Sequence, residues 1–203
     1  MIRRIVFALL VLVAGIVSAV FHEFGHCVFY WLQGIPAGMS LVKEYPLRDI
    51  TAGEYAIGCV GGPLASLVLL TASVWLLARP AHEPRGKDVL SALVLANVFY
   101  FVLRGLISVL KRWGGELGDI AGLVGLDYRA VVVLFSAIVV VALFHYVKAT
   151  GVRVDLFTTG SFVALFVGYV FVMVAVESVD SSLLWKRFPA IQIDDGRTYN
   201  PRH

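Results

Sequence analysis

The sequence predicts an all-α polytopic membrane protein of about five transmembrane helices with a short interfacial β-hairpin. Three observations carry that expectation. The 203 residues are 59% hydrophobic and 15% charged, where soluble domains run at about a half and about a quarter. Several apolar runs are long enough to cross a hydrocarbon core about 30 Å thick. The breaks between them are rich in glycine, proline and charge, the residues that end helical runs. The net charge of +3 is spread over the breaks and leaves no basic footprint for nucleic acid. Cys27 and Cys59 lie in apolar surroundings without metal-type spacing, and nothing suggests a disulfide framework.

Met1-Ile-Arg-Arg and the apolar run ending in Val17-Ser18-Ala19 have the look of a secretory signal peptide with a small-residue cleavage site. The apolar pattern continues unbroken through Cys27-Val-Phe-Tyr-Trp-Leu32, however, so a retained first helix from Ile5 to Leu32 is expected. Gln33-Gly34-Ile35-Pro36 stops it. Two β-like pieces follow, Gly38 to Lys43 and Ile50 to Tyr55, around Tyr45-Pro46, and these predict the hairpin. The second span, Ile57 to Ala78, opens with Gly58-Cys-Val-Gly-Gly-Pro-Leu-Ala-Ser66, small residues that let helices approach closely. The remaining spans are Val89 to Leu110, Ala130 to Val147 and Gly160 to Val176. Residues 1–180 thus read as one membrane domain and 181–203 as an interfacial or disordered tail, with Trp185-Lys-Arg-Phe188 as an interface anchor.

Within the first span lies Phe21-His22-Glu23-Phe24-Gly25-His26, an H-E-x-x-H motif. Histidines at i and i+4 share one helix face and can bind one metal ion, Zn²⁺ above all. Glu23 stands beside them as a candidate base toward water. Three ionisable groups in a lipid-embedded helix are costly, and such residues mark a site or a water-filled cavity.

A catalytic zinc takes a third protein ligand, which must come from the same membrane depth. His22 lies about 26 Å along its helix from Ile5, toward the side opposite the amino terminus. Two further crossings bring Lys111 to Arg129 to that same side, and with it Glu116, Asp119 and Asp127. Asp119, after Gly118 and before the apolar Ile120 to Leu126, is the preferred third ligand; Glu116 is its rival, and Asp127 reads as a helix cap. A carboxylate together with Glu23 would balance the ion's charge in a low-dielectric site. Asn97 and Arg104 share a face of the third span and are candidates for holding a substrate carbonyl. Snorkelling is the plainer reading of Arg104, while for Asn97 an interhelical hydrogen bond and a site role stand level.

The HEFGH motif in a first core helix, the Gly-Gly-Pro-Leu-Ala-Ser helix start and a later aspartate resemble the site-2 protease family of intramembrane zinc metalloproteases. The likeness spans roughly residues 5–125. Its third element reads Glu116-Leu-Gly-Asp119-Ile here, where the family has Asn-Pro ahead of Asp-Gly. The resemblance implies zinc held by His22, His26 and Asp119, with Glu23 activating water to hydrolyse peptide bonds of transmembrane protein substrates. It also implies a minimal member, with neither an inserted peptide-binding domain nor a nucleotide-sensing appendage. An inactive scaffold of the same fold and a metal-handling transporter are the alternatives; paired repeats expected of a transporter are not evident. By the five-span topology seven of the 17 Lys and Arg fall on the amino-terminal side and ten on the other. The positive-inside rule then turns the motif toward the cytoplasm.

Overall fold

The computed structural model describes residues 2–79, 84–110, 115–152, 156–183, 188 and 190–199. Six helices carry the fold: α1 (Ile2–Leu32), α2 (Ala52–Leu77), α3 (Pro84–Leu110), α4 (Gly115–Val124), α5 (Tyr128–Thr150) and α6 (Leu156–Leu183). Five of them, all but α4, are long and apolar enough to cross a membrane. The protein is therefore a multi-pass membrane protein with the five spans the sequence predicts. The last span runs to Leu183, beyond its expected end at Val176.

Local chemistry sets the helix ends. Thr51 Oγ1 accepts from the Glu54 amide (3.1 Å), and the Glu54 carboxylate accepts from the Thr51 amide (2.8 Å). This reciprocal capping box starts α2. It corrects the expectation of a strand over Ile50 to Tyr55, for only Ile50 keeps a β-bridge there. Asp127 caps α5 as expected, its carboxylate accepting from the Arg129 amide at 2.7 Å. Gly151, in the left-handed region at φ 65°, closes the same helix.

The bundle is built on α1 and α2, which meet backbone to backbone. A Cβ added at Gly25 would collide with the Gly61 carbonyl, and one at Gly61 with the Gly25 carbonyl. Small residues at such a crossing replace side-chain packing with backbone contact, a recurrent solution in lipid. Helix α3 packs on both, and α6 leans on α1 where the Tyr169 ring covers Gly15. Val11, Ala19, Leu70, Val94, Leu95, Val98 and Tyr169 form the centre of this core.

Two antiparallel hairpins sit at one end of the bundle. Strands β1 (Ala37–Met39) and β2 (Glu44–Pro46) pair with Gly38 opposite Tyr45, earlier in the chain than the predicted second strand. The buried Asp180 of α6 holds their turn, its two carboxylate oxygens accepting from the amides of Leu41 (3.3 Å) and Val42 (3.2 Å). Strands β3 (Ile191–Gln192) and β4 (Thr198–Tyr199) lie in the stretch expected to be interfacial or disordered. They are anchored instead: Ile191 and Ile193 are buried against Tyr30, Ile35 and Ile50, and Asp194 accepts from the Ala52 amide at 2.7 Å. Phe188 stacks on Tyr45 at 3.8 Å, whereas Trp185, Lys186 and Arg187 of the expected interface anchor lie outside the described residues.

Candidate metal centre

Helix periodicity brings His22 and His26 onto the face of α1 that meets α2, and there both are almost fully buried. Gly62 makes room for them, since a Cβ at that position would collide with the Nε2 atoms of both rings. Each imidazole is held by its other nitrogen. His26 Nδ1 lies 2.8 Å from the Gly58 carbonyl and 3.3 Å from the Gly62 amide nitrogen; with the hydrogen on Nδ1 toward the nearer carbonyl, Nε2 presents a lone pair. His22 Nδ1 lies 2.9 Å from Ser66 Oγ. Partners of this kind fix ring orientation in metal-binding histidines.

The two Nε2 atoms stand 3.1 Å apart. Glu116 Oε2, from the first turn of α4, is 3.1 Å from His22 Nε2 and 3.8 Å from His26 Nε2. An ion bonded tetrahedrally to nitrogen and oxygen at about 2.0–2.1 Å separates its ligand atoms by about 3.3 Å, and the three distances bracket that value. Lone pairs converging on one point repel one another unless a cation lies among them. The donor set and the cradle at Gly62 thus fit a metal ion.

The expected third ligand lies elsewhere. Asp119 faces away from the histidines, its Oδ1 accepting from Arg197 Nη1 of the second hairpin at 3.2 Å. Burial pushes its carboxyl above the usual range, and Arg197 offsets part of that. Asp119 ties α4 to the β3–β4 hairpin. Asp119→Ala is accordingly expected to speed hydrogen exchange at Ile191 to Ile193 while metal content holds; the half-exposed ion pair contributes no more than about 1 kcal/mol. Metal loss in that variant would restore Asp119 as a ligand.

Arg104 does not simply snorkel. Its guanidinium lies 3.5 Å from Glu23 Oε1 and 3.3 Å from Glu116 Oε1, and its Nε and Nη2 donate to the Tyr100 hydroxyl at 3.0 and 2.8 Å. Asn97 makes the interhelical contact that stood level with a site role: wholly buried, it donates to Ser18 Oγ (3.1 Å) and to the Leu93 carbonyl (2.9 Å).

Glu44 is a residue the sequence did not single out. Buried on β2, it brings its carboxylate within 4.8 Å of ligand atoms of both Glu23 and His26. Glu23, His26 and Glu44 form a second group able to hold a metal ion. His26 Nε2 is directed at His22 and Glu116, which favours the first group. Tyr100, whose ring lies 4.9 Å from that of His22, was likewise missed. Its i, i+4 spacing from Arg104 on a predicted helix was the available signal.

A cavity of about 420 Å³ opens beside the centre between α3 and α5, with His22, Arg104 and Glu116 in its lining. No protein-family model, curated protein or solved structure matches the chain.

Proposed function

We propose that this chain is a zinc-dependent endopeptidase that hydrolyses peptide bonds of transmembrane protein substrates, as the site-2 proteases it resembles do. The observation that carries the reading is the convergence of His22 Nε2, His26 Nε2 and Glu116 Oε2, with Glu23 adjoining on α1. Two imidazoles and one carboxylate, with a fourth position open, are a catalytic zinc set. Bound there, zinc would polarise a carbonyl and bring the pKa of a water toward neutrality.

The chain's own residues supply the rest. Glu23 takes a proton from water and returns it to the leaving amine. Arg104 lies 3.5 Å from Glu23 Oε1, and Glu44 adjoins the same carboxyl. Two N–H groups of Arg104 occupy the acceptor side of the Tyr100 hydroxyl, so its own hydrogen points elsewhere, and Tyr100 lines the cavity. That hydroxyl can donate to a substrate carbonyl as charge develops on its oxygen. A helical substrate has to unwind first, because its amides are internally paired. The β1–β2 hairpin offers an edge to hold it extended.

The test is metal analysis and cleavage of a transmembrane peptide by wild type and Glu23→Gln in bilayers. One zinc per chain is expected in both, with cleavage lowered by about 10²- to 10⁴-fold in the variant. Undiminished cleavage by Glu23→Gln overturns the mechanism, and zinc flux across the bilayer would point to a transporter. The excess of Lys and Arg on the side of the centre supports a cytoplasmic orientation for it. A reporter fused after residue 199 should then be active only on the cytoplasmic side.

A further inference from the structure

The wall of the cavity beside the metal centre has a chemistry of its own. Its α5 side is Val132, Phe135, Ser136, Val139, Val140 and Leu143, spaced as one helix face. Ser136 is no exception to its apolar character, since its hydroxyl donates to the Val132 carbonyl of its own helix at 2.8 Å. The facing side on α3 includes Phe101 and Gly105. Gly105 is unlike the glycines at the α1–α2 crossing: a Cβ added there would meet no atom of the described residues within 4 Å. A helical glycine costs about 1 kcal/mol against alanine, which close packing usually repays. Among the described residues nothing packs on Gly105, and the residue leaves open space. The exposed, apolar Val102, Leu106 and Val140 adjoin that space.

We propose that this cavity, kept open by Gly105, receives a bulky apolar side chain of the substrate next to the bond at the metal centre. The proposal rests on the protease reading and adds the class of residue selected. Cavity size agrees, since roughly 150 Å³ of apolar space holds a benzene-sized ring and about 420 Å³ is present. Position agrees as well. His22, Arg104 and Glu116 line the same cavity, so a side chain filling its apolar part keeps its own backbone near those polar groups. Exposed apolar residues along the rim suit a substrate arriving from hydrocarbon and not from water.

The experiment uses the full-length protein in bilayers with a transmembrane peptide series carrying Ala, Leu or Phe at a single varied position, and Gly105→Leu as the filling variant. Wild type is expected to cleave the Phe peptide about tenfold or more faster than the Ala peptide, the scale on which apolar pockets discriminate. Gly105→Leu should abolish that preference while binding zinc as wild type does. A photoactivatable p-benzoylphenylalanine at the varied position should crosslink to α3 or α5, with or without zinc, and Gly105→Leu should suppress the adduct. Equal size preference in wild type and Gly105→Leu, or adducts confined to other helices, overturns the pocket. A wild type that crosslinks at α3 or α5 but cleaves no peptide retains the pocket and overturns the protease reading.

Discussion

Glu116→Gln is expected to empty the metal centre, lowering affinity by more than the roughly 100-fold cost of losing an outer-shell partner. Glutamine keeps the size and the hydrogen-bonding reach of the side chain but removes its charge. The centre would then have two neutral imidazoles facing a divalent ion, with Arg104 still 3.5 Å from Glu23. That cation is balanced now by Glu23 and Glu116 together, at 3.5 and 3.3 Å. Neutralising Glu116 thus removes a ligand and leaves positive charge beside the ion. Metal content after purification in limiting zinc, read beside Asp119→Asn, checks the assignment. Zinc retained in Glu116→Gln and lost from Asp119→Asn would return the role to Asp119.

The second large effect is structural. Gly61→Leu should prevent stable folding, at a cost above the roughly 3 kcal/mol typical of overpacked sites. At most sites an added side chain displaces other side chains, which rotate aside. Here the obstacle is the Gly25 carbonyl and the His26 amide, part of the backbone of α1. Relief requires α1 and α2 to separate along the face that carries both histidines. Gly105→Leu, in open space on α3, is the matched control and should unfold no more readily than wild type. Thermal unfolding in detergent, with zinc chelated, distinguishes the two variants without any assay of activity.

Much of the architecture was legible because apolar run length is a direct readout of a span. The H-E-x-x-H motif was equally plain, since its i, i+4 spacing alone puts two imidazoles on one face. The third ligand was harder. Topology brought the right segment to the right side, but Glu116 and Asp119 lie within one turn of α4. Which of them meets the histidines depends on how that short helix is rotated. Asp119 meets Arg197, 78 positions away, a pairing that no local pattern announces.

The hairpins failed for a different reason. Strands of two or three residues carry no alternation to read, and their register is set by Asp180 and by the Ile35–Ile50–Ile191 contacts. Thr51-x-x-Glu54 was a readable helix start that the β-branched Ile50-Thr51 pair concealed. Glu44 went unnoticed because a glutamate in a predicted loop looks solvated until the hairpin folds over the motif. The glycines of α2 were seen as packing residues, yet Gly62 is spent on the two imidazoles.

The way the donors are mounted has a kinetic consequence. His22 and His26 sit on one rigid helix, locked against α2 by contacts between main chains, so their half of the centre exists before any ion arrives. Glu116 rides on α4, which has ten residues and is secured through Asp119 and Arg197. An ion would meet the paired imidazoles first and be closed in by the carboxylate second. Capture rate would then follow access to the histidines, and residence time would follow how firmly α4 is held. Substitutions at Arg197, far from the chemistry, would leave capture unchanged and shorten that residence by no more than the roughly fivefold that an ion pair of about 1 kcal/mol allows, too little to lower metal content in excess zinc.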